Sequence, residues 1–315
     1  MAEADDLLTG AAEDLFRREL TADRRREAEH EGWSRPLWES LEKAGLTAAG
    51  WEAGAAEAAQ LARVAARHAA PVPLAETVML AAWVLEEAGI EPPDGPLTAA
   101  WFGDEDASGV PYGRHAAVVV AITRDGVALL GRDSFAIEPG VNLAGEPRDT
   151  LRLRGAPPSL VPGPTARALD ERGALMRSVQ LAGALEAVLE LSVSYAGDRT
   201  QFGSPLLRFQ AIQEQLAILA AEVAATQASV AAALDDPRWE NIAAAKTRAG
   251  GAAGLAVRIA HQVHGAIGFT DEHRLHHFTR RLLSWRDEFG TEYEWAERLG
   301  SALVPESYWE MSTKQ

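Results

Sequence analysis

Apolar residues recur along this chain first at helical, then at strand, then again at helical spacing, and the two changes of period divide it into three. At the N-terminus Leu7, Leu8, Ala11, Leu15 and Phe16 line one helical face, with acids opposite. Ser34 ahead of Arg35-Pro36 marks a second helix start, followed by Trp38, Leu41 and Leu46. Two alanine-rich helices are expected at about Ala55 to His68 and Leu74 to Ala88, split by Pro71-Val72-Pro73 and closed by Gly89 and the turn Pro92-Pro93-Asp94-Gly95. The period then shortens. Ala116 to Ile122 is a β-branched run, Arg124-Asp125-Gly126 turns it into Val127 to Leu130, and Phe135 to Ile137 and Leu151 to Leu153 read as further strands. Pro157-Pro158 to Pro164 is a linker.

Helical spacing resumes at about Ala166, with one stripe of Leu175, Val179, Ala182, Leu185 and Leu189 and another of Ile212, Leu216, Leu219, Val223 and Val230. Trp239 to Val263 predicts a third helix, and Thr270-Asp271-Glu272 predicts the start of a fourth, carrying Leu275, Phe278 and Leu282. The pattern is α+β: an N-terminal α-helical domain (1–95), a reduced middle β-domain (96–164) and a C-terminal four-helix bundle (165–315).

Composition narrows the function. A formal charge of −16 over 315 residues argues against nucleic acid and other polyanions. Without cysteine, disulfides and thiolate chemistry are excluded, and a reducing, cytoplasmic compartment is expected. The acidic N-terminus lacks the apolar core of a secretory signal, and charges or polar groups break every long apolar stretch, so no membrane association is expected.

One short stretch concentrates binding chemistry: Arg199-Thr200-Gln201-Phe202-Gly203, followed by Gln210 at the start of a long helix. Arg199 offers a permanently charged fork to a pyrophosphate, Phe202 a ring face, and Gly203 a close backbone approach. Taken alone, the same residues read equally as a helix cap, a core ring and a loop glycine, and elementary physics favours that plainer reading.

Three motifs in order change the weighting. Tyr195 and Arg199-Thr200-Gln201-Phe202-Gly203-Ser204-Pro205 with Phe209-Gln210 and Leu216 resemble part of the C-terminal domain of acyl-CoA dehydrogenases. Gln262-Val263-His264-Gly265-Ala266-Ile267-Gly268-Phe269-Thr270 with Arg280-Arg281 resembles that family's second signature, and Phe289-Gly290-Thr291 falls where its active-site loop lies. The resemblance is sharp from Gly173 to Leu299 and architectural before that. It implies the family's fold, FAD as cofactor, an acyl-CoA thioester as substrate and electron-transfer flavoprotein as acceptor. It further implies that Arg199, Gln201, Phe202 and Gln210 contact the ADP half of an FAD held mainly by a neighbouring subunit. Gln262, the turn His264, Gly265 and Ala266, and Thr291 complete that set.

Departures from the family are as telling. Counted without gaps from Phe269, the usual catalytic glutamate position holds Phe289, and a phenyl ring removes no proton. The alternative base position, twenty-six residues before Arg199, holds Gly173. Glu171 and Glu288 are nearby, but two residues along a helix turn a side chain about 200° away. The loop that normally lies against the flavin ring is missing, and Trp101-Phe102-Gly103 with Asp104, Glu105 and Asp106 does not replace it. This pattern resembles the short subunit of heteromeric (α2β2) bacterial acyl-CoA dehydrogenases, several of which act on steroid side-chain CoA esters. In those a longer partner subunit supplies the base, so no catalytic residue is expected on this chain. A self-sufficient homotetramer using Glu288, or a flavin-free structural partner, stays open.

Five histidines, His261, His264, His273, His276 and His277, crowd into 17 residues, but no carboxylate set accompanies them and no metal site is expected. Trp239, Trp285, Trp295 and Trp309 read as helix-packing residues, and Glu292, Glu294 and Glu297 as a solvated helix face.

Overall fold

The computed structural model describes residues 2–303 apart from 104, 105, 156 and 158. Asp104, Glu105, Pro158, Trp309 and the side chain of Leu7, all singled out above, therefore lie outside the described residues.

Six helices come first: α1 (Ala2–Glu19), α2 (Ala22–Glu31), α3 (Arg35–Lys43), α4 (Ala49–Glu52), α5 (Ala55–Arg67) and α6 (Ala82–Ala88). Ser34 caps α3 as its sequence indicates, its Oγ accepting from Leu37 N at 3.4 Å. A π-helical stretch, Glu76–Ala81, leads into α6 and was not legible in the alanine-rich pattern. The wider turn places the carboxylate of Glu76 inside the protein, 1% exposed.

The middle region holds two three-stranded sheets. β1 (Leu97–Trp101), β2 (Asp106–Pro111), β3 (Val118–Ile122), β4 (Val127–Gly131), β5 (Phe135–Glu138) and β6 (Arg148–Leu153) sort into the orders β1-β3-β4 and β2-β6-β5. β1 runs parallel to β3, with Leu97 opposite Val118, and all other pairs are antiparallel. β1 and β2 went unanticipated. Thr98-Ala99-Ala100 has low strand propensity, and β2 carries Gly109 at a register shift. Four residues join β1 to β2, and Phe102 among them is buried.

The C-terminal region starts with α7 (Ala166–Asp198), a 33-residue helix whose cap, Thr165, accepts from Ala168 N. A two-residue hairpin pairs β7 (Thr200–Gln201) with β8 (Ser204–Pro205) and delivers the chain to α8 (Gln210–Asp235), α9 (Trp239–His264), α10 (Leu275–Asp287) and α11 (Glu292–Leu303). The α10 expectation needs correcting. It begins at Leu275, because Thr270 Oγ1 and N both bond back to the carbonyl of Ile267 and close a turn there.

α7 is buried on nearly every side and organises the molecule. Its first half packs Leu175, Met176 and Val179 with Phe16, Leu41, Leu61 and Leu80 of the N-terminal helices. Its second half packs Leu181, Leu185 and Val188 with Leu219, Ile259 and Phe278. At Gly183 a β-carbon would sit under 3.0 Å from the carbonyl oxygen of Arg63, so α5 and α7 cross backbone to backbone. By length and composition α8 is the one described helix able to cross a membrane; here it lies along α7 and α9 with Leu216, Leu219, Val223 and Val230 inside.

Candidate functional site

The first motif is a turn with a defined reason for each residue. Phe202 and Gly203 both have positive φ (+52° and +80°), as the two central residues of a type I′ hairpin require. Glycine reaches this region freely, whereas a phenylalanine there costs on the order of 1–3 kcal/mol. The ring is nevertheless held at the tip, 92% exposed, with only an edge contact to Phe209 at 6.2 Å. Arg199 caps α7 through its backbone N–H to Tyr195 O at 2.9 Å. Its guanidinium is exposed and meets no acceptor among the described residues, so the plain cap accounts for the backbone and leaves the side chain unexplained. Gln210 donates to Glu214 Oε1 at 2.8 Å on the surface of α8.

The second motif closes against the first through aromatic rings. α9 ends at His264, and Gly265, at φ +62°, turns the chain away. The His264 ring is buried and stacks on Tyr195 with centroids 4.6 Å apart, while its Nδ1 bonds Ala260 O at 2.8 Å. Burial holds its pKa below the usual value, so at neutral pH it is an uncharged stacking ring. His273 meets it edge-on at 4.6 Å, and His261 stacks on Phe269 at 4.1 Å. The histidine cluster is thus ring packing that fixes the turn beside exposed Gln262, Gly265 and Ala266. Arg199, Gln201, Phe202, Gln210, Gln262 and the His264–Ala266 turn all lie at one end of the bundle.

Thr291 does not join them. Its neighbour Glu292 lies against Gly250, about 18 Å along α9 from Gln262. Both N and Oγ1 of Thr291 donate to Glu294 Oε2, at 2.7 and 3.0 Å, and Glu294 N returns a bond to Thr291 Oγ1, so the pair is a capping box for α11. Glu294 therefore has a task within its exposed face.

The ring of Phe289 fills the space in front of Gly173: a β-carbon on Gly173 would fall under 3.0 Å from that ring. The two positions at which the resemblance leads one to expect a catalytic carboxylate are therefore in contact, and neither residue carries one. Phe289 has φ +54° and is pinned by Trp295 Nε1, which donates to its carbonyl at 2.8 Å. Lys246 Nζ donates to the carbonyls of Arg286 (2.5 Å) and Gly290 (2.6 Å), clamping both sides of the loop. Burial lowers the Lys246 pKa to about 8 against the pull of Glu288 and Glu292.

Glu288 turns inward instead. Its Oε1 accepts from Arg148 Nε (2.9 Å) and Asn142 Nδ2 (3.1 Å), and its Oε2 from Arg148 Nη2 (3.0 Å) and Arg177 Nε (2.7 Å). Burial pushes this carboxyl up, but Arg148 and Arg177 outweigh it and hold it below its ordinary value. The network continues through Arg177 to Glu76 at 2.8 Å, and from Arg148 to Glu146 at 3.0 Å. Glu146 also accepts from Arg281 Nε (3.0 Å) and Trp285 Nε1 (2.8 Å). Although fully buried, it is held at a pKa of about 2 by Arg281 and Arg148. Three arginines and three glutamates drawn from all three regions thus occupy the interior behind Phe289. Hydrophobic patterning does not reveal this set; its one visible sign is Arg177 standing among the apolar residues Leu175, Met176 and Val179.

Residues 167–293 match the model of the acyl-CoA dehydrogenase C-terminal domain. The chain carries an acyl-CoA dehydrogenase C-terminal domain. Over 185 residues it is 30% identical to acyl-CoA dehydrogenase IpdE2 of Mycolicibacterium smegmatis, a match covering 57% of either chain, so it is aligned with little more than half of that relative. Its whole architecture follows solved acyl-CoA dehydrogenase structures. One chain of the ChsE4-ChsE5 complex from Mycobacterium tuberculosis superposes with a TM-score of 0.86 at 23% identity, covering 97% of this chain and 99% of that one. The Tcur3481-Tcur3483 steroid ACAD superposes with a TM-score of 0.82 at 23% identity, covering 95% and 97%. The fold is that of the acyl-CoA dehydrogenases, from the N-terminal helices through the small sheets to the bundle.

Proposed function

We propose that this chain is a subunit of an FAD-dependent acyl-CoA dehydrogenase that completes the cofactor site, while a longer partner subunit supplies the catalytic glutamate. The observation that carries the reading is the contact between Phe289 and Gly173: both base positions are filled by groups that cannot take a proton, and they pack on one another. Glu288 is no substitute. All its acceptor directions toward the interior are engaged by Arg148, Arg177 and Asn142, and a general base needs a free lone pair and a pKa near the working pH.

The cofactor edge fits the ADP half of FAD. An exposed guanidinium without an acceptor, the amides of Gln201 and Gln262, and a ring displayed at a strained turn are groups that fold stability does not require there. Arg199 would neutralise pyrophosphate charge, Phe202 would cover a planar face, and the Gly265–Ala266 backbone would approach closely because it lacks bulk. Thr291 is left out of this set, since its donors already serve Glu294. FAD, when bound, supplies the hydride acceptor for α,β-desaturation. This chain's residues bind and orient; none of them moves the substrate proton. Similarity to a solved steroid ACAD supports a steroid CoA ester as substrate; a side-chain ester, electron-transfer flavoprotein as acceptor, an α2β2 assembly and a cytoplasmic location belong to the same proposal.

The test is flavin content and turnover of the chain purified alone and co-expressed with longer acyl-CoA dehydrogenase chains of its organism. Colourless protein alone and a yellow, active complex support the reading. Yellow, active homo-oligomers would move catalysis onto this chain, and a complex whose flavin content ignores Arg199→Ala would leave it a structural partner.

A further inference from the structure

The proposed cofactor groups sit on two exposed loops that core packing does not orient. None of residues 197–215, all of them described, is buried, and among residues 265–274 only Gly268 is. Both loops leave from one cluster of three rings. Tyr195 comes from the last turn of α7, His264 from the end of α9 and His273 from the turn ahead of α10. Tyr195 lies on His264 with centroids 4.6 Å and planes 23° apart, and it meets His273 edge-on at 6.0 Å. The two histidines meet at 4.6 Å. Stacked and edge-to-face pairs are directional, so each ring restricts the tilt of the others. Burial holds both histidines below their ordinary pKa, and at neutral pH they pack as uncharged rings.

Tyr195 is the member that also holds the hairpin's backbone. Its carbonyl accepts from Arg199 N at 2.9 Å, and Arg199 O accepts from Leu206 N at 2.8 Å, which closes the base of the hairpin. The two histidines are fixed within their own segments. His264 Nδ1 donates to Ala260 O at 2.8 Å, and His273 Nδ1 accepts from Leu275 N at 3.2 Å. Direct contacts therefore run from the Arg199 hairpin through Tyr195 to His264, whose next two residues are Gly265 and Ala266.

We propose that Tyr195 is a positioning residue for the ADP half of FAD, acting through Arg199 and His264 to hold the hairpin and the Gly265 turn at one separation before the cofactor arrives. This rests on the cofactor reading above and supplies the reason why two exposed loops present one preformed site. A preformed site binds with a smaller ordering cost than two loops that binding must bring together.

Flavin titration of the assembled complex tests the role. Tyr195→Leu removes the ring and should weaken FAD binding roughly three- to ten-fold, with turnover per bound flavin unchanged. Tyr195→Phe keeps the ring and should restore wild-type affinity. His273→Asn keeps an acceptor for Leu275 N without the ring, and should weaken binding by a smaller factor. In the complex before flavin is added, amide exchange at residues 199–206 and 264–266 should quicken in Tyr195→Leu and not in Tyr195→Phe. Leu41→Ala, a truncation in the core of the N-terminal helices, should lower Tm without moving FAD affinity, so that lost stability alone does not imitate the effect. Arg199→Ala separates this role from the reading beneath it. Weakened binding in Arg199→Ala beside wild-type affinity in Tyr195→Leu would overturn the positioning role and leave the cofactor edge standing. Unchanged affinity in Arg199→Ala would remove the edge and the role together. Failure of Tyr195→Phe to restore affinity would overturn the role, since it is assigned to the ring. Should Tyr195→Leu fail to assemble, wild-type FAD affinity in His273→Asn would refute the three-ring joint.

Discussion

Replacing Glu288 by glutamine separates a structural carboxylate from a catalytic one. Glutamine keeps the volume and one acceptor but removes the charge that Arg148 and Arg177 share, and turns an Nε2 donor toward donors that previously met oxygen. The site is largely closed, with side-chain exposures of 9% for Arg148, 0% for Arg177 and 19% for Glu288. Removing one partner of a buried ion pair costs about 3–5 kcal/mol. The retained acceptor and the remaining partners Glu76 and Glu146 place the expectation near the lower bound, about 3 kcal/mol. For a chain of this size that lowers Tm by roughly 6–10 °C. The sign with pH is fixed as well. The folded-state pKa of Glu288 is depressed, so its contribution is present above the unfolded carboxyl value near 4.5 and is lost as pH falls toward the folded value. Wild type and Glu288→Gln should therefore differ at pH 7 and converge in acid. Thermal unfolding from pH 3 to 8 measures the first part. Turnover per flavin in the assembled enzyme measures the second, and it should change by less than about three-fold, whereas loss of a general base removes roughly a hundred-fold or more. A variant as stable as wild type, with turnover down a hundred-fold and flavin retained, would refute the reasoning and make Glu288 the base.

Other expectations follow from the same geometry. Arg199→Ala should lower FAD affinity of the complex roughly ten- to hundred-fold, the worth of a charge-assisted bond of about 1.5–3 kcal/mol, as read by flavin titration. Phe202→Gly should relieve the positive-φ strain and raise Tm slightly while lowering flavin occupancy, an opposition a purely structural ring would not produce. Gly173→Ala should destabilise by about 1–3 kcal/mol through overpacking against Phe289, and Phe289→Ala in the same chain should recover part of that loss, giving a non-additive double-mutant cycle. Lys246, with its pKa lowered to about 8 from 10.5, binds fewer protons folded than unfolded between those values. Wild-type stability relative to Lys246→Met should therefore rise with pH across that window, as read from denaturant midpoints in a pH series.

Much of the fold was written locally. Helices with one wet and one dry face, proline and glycine punctuation, and the β-branched run before Ile122 are properties of neighbours in sequence, and they laid out helices, strands and helices in order. The hairpin residues and the His264-Gly265 turn were equally legible, because a turn's chemistry is local. Counting along the resemblance sets Phe289 and Gly173 at the two positions where a base is expected. What it could not state is that these two touch. That contact joins a loop to a helix 116 positions earlier in the chain, and only the packing of α7 under the α10–α11 loop creates it. The same holds for the ion network. Arg148, Arg177, Arg281, Glu76, Glu146 and Glu288 look like ordinary surface charges one at a time, and their burial becomes affordable only where tertiary structure brings opposite charges within hydrogen-bonding distance. Thr291 stands apart from the hairpin residues for a related reason: its donors bond Glu294 once α11 begins beside it. Sequence decided which groups this protein possesses; the tertiary structure decided which of them are already spoken for, because a lone pair or a cavity can be filled only by what the fold places against it.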